Sequence, residues 1–140
     1  MFWQAIAAGA NGLIPYAFHS MCKFMDGAEF DKAMADVVDV MSAIKRRESV
    51  ILSDPGPSAV TDSKNLFCRT WTSKTGELWL LLSNANRERV SATVTLGEEF
   101  IAVRAEDGVD AALFAPNVLS VKLDALASGF VRLEPQNLKR

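Results

Sequence analysis

Residues able to do nucleophilic, metal or phosphate chemistry are few in this sequence, and their spacing is poor for each of those tasks. Cys22 and Cys68 lie far apart with no CxxC, and His19 is the single histidine. A structural zinc site wants four Cys/His ligands, so metal binding through these residue types is nearly excluded. A Cys22–Cys68 disulfide and a pair of free buried thiols are both open readings. Ser20 and Ser83 lack the G-x-S-x-G surroundings that expose a serine nucleophile on a sharp turn. Gly9-Ala10-Asn11-Gly12 comes before an apolar run rather than after one, the wrong order for a phosphate-cradling loop. The most basic run, Lys45-Arg46-Arg47, falls at an expected helix end, where cations complement exposed carbonyls. With a net charge of −2 and no basic stripe, the chain lacks the footprint of a nucleic-acid binder. No motif calls for a cofactor.

The elements that would position any site fall into two styles. Residues 1–10 read as a helix, with Phe2, Ile6 and Gly9-Ala10 at helical spacing and Asn11-Gly12 as its stop. Leu13-Ile14-Pro15-Tyr16-Ala17-Phe18 follows as a short strand, apolar on both faces as a buried parallel strand is. This opening stretch lacks a basic segment and is broken by Gly9, Gly12 and Pro15. It therefore reads neither as a secretory signal nor as a membrane span. Residues 26–48 form an amphipathic helix with Asp26 as N-cap. Its stripe runs through Phe30, Met34, Val37, Val38, Met41 and Ile44. Ser53-Asp54-Pro55-Gly56-Pro57-Ser58 is a breaker cluster, and beyond it the period changes to two. Strands are expected over 66–72, 78–83, 90–96, 100–104, 110–114, 119–123 and 129–133, at the spacing of an antiparallel sandwich or barrel.

The expected class is α+β, with a helix-strand-helix segment over 1–52, a linker over 53–60 and an antiparallel β-sandwich over 61–140. A single strand between helices has no partner of its own style within the chain. Since βα units build parallel sheets, the first segment reads as the closing unit of a (β/α)₈ barrel whose other units lie in other polypeptide.

Two stretches carry a family resemblance. Phe2-Trp3-Gln4-Ala5-Ile6-Ala7-Ala8-Gly9-Ala10-Asn11-Gly12, with the strand that follows it, resembles the closing segment of TIM-barrel glycoside hydrolases. In that family a helix reading roughly W-x-A-x-A-x-G-A-x-G precedes a last strand reading roughly I-x-Y-W/S-F. Pro15 and Ala17 depart from the pattern and leave the particular hydrolase family open. Farther on, three phrases look like the sandwich that follows the barrel in many such enzymes. They are Arg69-Thr70-Trp71, Gly76-Glu77-Leu78-Trp79-Leu80-Leu81-Leu82-Ser83-Asn84-Ala85-Asn86, and Val90-Ser91-Ala92-Thr93-Val94-Thr95-Leu96. Together the patches span about half the chain.

The resemblance implies a C-terminal fragment of a carbohydrate-active enzyme, inactive alone, with the missing barrel as its partner. Glycosidases typically use two carboxylates across the scissile bond. In the resembled enzymes these come from earlier strands, so no catalytic residue is carried over. Tyr16 and His19, and after them Phe18, are the candidates for lining a sugar subsite, because an aromatic ring stacks on a pyranose face and imidazole bonds hydroxyls. Trp71, beside a polar loop, is the candidate for a sugar platform on the sandwich, and Trp79 is expected in the core. Asp26 weighs as a cap against a substrate contact. The parent enzyme would be of an exported kind, with any signal upstream. A stand-alone carbohydrate-binding module is the competing expectation. So is a structural or interaction module that forms a homo-oligomer through residues 1–50.

Overall fold

The structure is a computed structural model that describes residues 2–10, 23 and 25–135. The expected strand over 13–18, and with it Tyr16, His19 and Cys22, lies outside the described residues. Among the described residues, nine strands form two antiparallel sheets: β1 (Asp54–Pro55), β2 (Ala59–Thr61), β3 (Leu66–Thr72), β4 (Leu78–Asn84), β5 (Val90–Leu96), β6 (Phe100–Ala105), β7 (Val109–Ala115), β8 (Val118–Leu123) and β9 (Ser128–Pro135). One sheet runs β1-β3-β4-β9-β6 and the other β2-β5-β8-β7. The expected sandwich character is therefore present. Each of the seven expected strands is found within two residues of its bounds.

Alternation explains the inner core. In β5, Ala92, Val94 and Leu96 are buried while Ser91, Thr93 and Thr95 face out. Leu119, Val121 and Leu123 of β8 lie beside them. From the first sheet come Leu78, Leu80, Leu82, Val131 and Leu133, so the two inner faces close on one another.

β4 departs from alternation, and all seven of its residues are buried. A strand buried throughout has apolar cover on both sides. The second cover is helical. Trp71, Trp79, Leu81 and Phe130 form an outer cluster with Ile6 and Ala7 of α1 (Phe2–Ala7) and with Val50 and Ile51 of α3 (Glu48–Ile51). The layers are thus helix, sheet, sheet.

The expected linker over 53–60 is built into the sandwich. β1 pairs Pro55 with Trp71, and β2 pairs Val60 with Thr95, so this stretch crosses from an edge of one sheet to an edge of the other. Proline is acceptable at such an edge, where a missing ladder donor costs little. Gly56 lies so close to β3 that a Cβ there would meet the Thr70 hydroxyl and the Trp71 amide at 2.9 Å each.

Between β6 and β7 the chain changes sheets through Asp107 and Gly108, at φ 58° and 80°. Two successive positive φ values are what Asp-Gly tolerates best in a mirror-type turn. Gly129 of β9 sits beneath this turn, where an added Cβ would lie 2.6 Å from the Asp107 carbonyl oxygen and 2.9 Å from that of Glu106. Gly129→Ala is expected to cost about 1–3 kcal/mol through overpacking, read as a lower urea midpoint at unchanged slope.

Helix α2 (Gly27–Arg46) begins as expected, with the Asp26 carboxylate accepting the Glu29 amide at 2.8 Å. Asp26→Ala should remove about 1 kcal/mol of helix stability, seen as fraying of residues 27–30 by amide exchange. The predicted stripe is present in the periodicity, yet no residue of α2 is fully buried. Ile44 touches the outer cluster, while Val38 is 55% exposed.

Candidate functional site

Where α1, the end of α2, the β6–β7 turn and the start of β9 converge, there is a cleft of about 580 Å³. Its lining includes Trp3, Arg46, Arg47, Asp107, Ser128 and Phe130. Arg47 organises it. As the residue that closes α2, it no longer follows the helix face, and its guanidinium turns inward instead. The guanidinium carbon stands 5.1 Å from the Trp79 ring centre and 5.4 Å from that of Phe130, within cation–π range. Nη2 donates to Glu106 at 2.5 Å and to Asp107 at 3.1 Å. Burial disfavours the charge on Arg47, but the hydrogen bonds to Asp107 and Glu106 outweigh it and hold the guanidinium above its ordinary pKa. Gly129 fixes the height of the turn that carries both carboxylates, so a backbone requirement in β9 sets a side-chain geometry across the cleft.

Aromatic rings form the floor. Trp3 meets Phe130 edge-on with centroids 5.6 Å apart, and Trp79 meets the same ring from 6.4 Å at 76°. These T-shaped contacts put positive ring edges toward negative faces. The Trp79 indole N–H is buried without an acceptor, the one such side-chain atom among the described residues. At the rim, the Ser128 hydroxyl shares a hydrogen bond of 2.7 Å with that of Ser83. Asp107 keeps 60% of its side chain exposed.

Of the sequence candidates, Tyr16, Phe18 and His19 lie outside the described residues. Trp71 is 2% exposed and lies in the outer cluster, with the Arg69 guanidinium 5.5 Å from its ring centre. Stacking on a sugar needs an open ring face, and Trp71 presents none here. Trp79 packs beside it, as expected for a core residue. Asp26 is engaged as a cap. Cys68 is a free, half-buried thiol whose Sγ lies 3.4 Å from the Ala59 carbonyl oxygen. Burial pushes its pKa up, so the reactive thiolate is disfavoured.

The cleft is not legible in the sequence. Arg47 reads there, with Lys45 and Arg46, as one of three helix-end cations, and its acidic partners lie some 60 positions away. The available signal is the turn Glu106-Asp107-Gly108, whose two carboxylates are held side by side. Among the described residues, no group of three or more His, Cys, Asp or Glu side chains is placed to hold a metal ion. No described helix is long and apolar enough to cross a membrane. Comparison with family models, with curated proteins and with solved structures returned no match to this chain.

Proposed function

We propose that this chain is the C-terminal part of a TIM-barrel glycoside hydrolase. On this reading, residues 1–52 supply the last barrel unit, and the sandwich is an accessory domain docked against the helical wall. The catalytic carboxylates would belong to polypeptide outside these 140 residues, so the chain alone would not hydrolyse glycosides.

The observation that carries the reading is α2. Twenty residues with a regular apolar stripe bury none of their side chains fully, although the same chain covers β4 on both faces. An amphipathic helix gains most of its stability by packing that stripe, so a stripe left half open calls for a further apolar surface. A barrel wall is such a surface. The outer cluster adds to this, because the first sheet already receives helices on the face away from its partner sheet. The W-x-A-x-A-x-G-A-x-G resemblance supplies the particular kind of wall.

The test uses an antibody against the sandwich on extracts of the source cells. The expected result is a native polypeptide longer than 140 residues by about a barrel, roughly 250 residues. Its immunoprecipitate should release nitrophenol from at least one nitrophenyl glycoside. A native polypeptide of 15.3 kDa, or a long one with no such activity across α- and β-linked hexosides and pentosides, would overturn the proposal.

A further inference from the structure

We infer that α2 pairs with the α2 of a second copy of this chain, antiparallel and about a two-fold axis near Val38. The seam is the flank of the apolar stripe that carries Val38. A barrel wall, on the reading proposed above, would take the opposite flank around Ala33 and Val40, so the two contacts do not compete for Val38.

An open apolar groove marks the seam. It has a volume of about 480 Å³, and its lining includes Val37, Val38, Met41, Ile44 and Lys45. Val38 is 55% exposed, and Met34 and Met41 are half-buried. Met34, Val37, Met41 and Ile44 follow one another at intervals of three, four and three residues. Those intervals average 3.5, the repeat that keeps side chains inserted between those of a neighbouring helix. The shape that fits is therefore another helix. With 20 residues, α2 offers a seam about 30 Å long. Met34 and Met41 flank Val38 along it, and their flexible thioethers fill irregular gaps.

Charge decides which helix, and which way it runs. Asp31 lies seven residues before Val38 and Lys45 seven residues after it, so the three share one face at two-turn intervals. Asp31 and Lys45 are both exposed, and neither has an ion pair among the described residues. Turning a second α2 end for end about Val38 brings Asp31 of each copy beside Lys45 of the other. A parallel pair would instead set Asp31 against Asp31 and Lys45 against Lys45. A face that complements itself on inversion is what an isologous two-fold contact requires. One helix from each copy makes a contact at the small end of specific interfaces, so dissociation in the micromolar range is expected.

The test is sedimentation velocity of the 140-residue chain from low micromolar to submillimolar concentration. The mass should rise toward twice 15.3 kDa. Asp31→Lys and Lys45→Asp should each weaken association about tenfold or more, because both pairs across the axis become like-charged. Mixed in equal amounts, these two variants should pair with each other at about the parent affinity, which also shows that each has kept its fold. Val38→Glu, a change at an exposed position, should leave a folded monomer. A parent chain that stays monomeric at submillimolar concentration would overturn the inference and leave the groove to a different polypeptide. So would a dimer that Val38→Glu leaves intact, single charge variants that associate as tightly as the parent, or a mixture that does not recover. None of these outcomes bears on the parentage, which is tested by the length and activity of the native polypeptide.

Discussion

Trp71→Ala is expected to lower the stability of the protein by about 3–5 kcal/mol, the range for truncating a buried tryptophan. The reason lies in where the ring sits. Trp71 is directly opposite Trp79 in the β3–β4 ladder and is shared among β4, α1 and α3. Removing it opens a cavity between a sheet and two short helices. α1 has six residues and α3 has four, too few to persist without that packing. The loss should therefore appear twice, as a lower denaturant midpoint and as faster tryptic cleavage after Arg46 and Arg47. Trp71→Phe keeps part of the volume and should recover a substantial share of the loss. Had Trp71 been an exposed platform for a ligand, alanine would change stability by no more than about 0.5 kcal/mol. A shift that small would contradict the packing role.

Asn84→Leu should cost roughly 3 kcal/mol, chiefly through lost hydrogen bonds, since leucine keeps the branched four-atom shape of asparagine. Asn84 ends β4 and is fully buried. Its Nδ2 donates to the carbonyl oxygens of Glu88 at 2.8 Å and Asp124 at 2.9 Å, and its Oδ1 accepts the Asn86 amide at 2.8 Å. One side chain thus satisfies the backbone of the β4–β5 loop and of the β8–β9 loop. Leucine would fill the space and leave two carbonyls and one amide without their partner. The expected signature is a lower melting temperature together with faster exchange at the Asn86 amide. A variant within about 0.5 kcal/mol of the parent would mean that water replaces all three bonds at little cost.

Asn84 also shows how a sequence phrase acquires its cause. An apolar strand ending in asparagine is legible as a pattern carried by the family resemblance. The tertiary structure supplies the reason, since the strand end is the point where two loops need donors and an acceptor at once.

Local physics determined much of this protein from the sequence alone. Period-two alternation in 90–96 and 119–123 encodes strands with one apolar face, and such strands need a second sheet whatever its order. The same holds for the α2 stripe and for Asp26, whose capping bond depends on residues three positions apart. These features are local, so the residues that encode them are neighbours in the chain.

What only the tertiary structure decided is non-local. The first five residues of β4, Leu78 to Leu82, are apolar without alternation, and such a run does not say which elements cover its two sides. Sheet pairing placed β4 between β3 and β9, and the outer cluster brought α1 and α3 onto it. The stretch 53–60 looks like a linker because Pro and Gly break regular structure, yet its partners β3 and β5 turn the same residues into sheet edges. Arg47 carries no local sign of its partners. Its position follows from a turn some 60 residues away, held close to β9 because Gly129 has no side chain. Composition and spacing record what a residue can do beside its chain neighbours. Which distant groups it meets is settled only when the layers close.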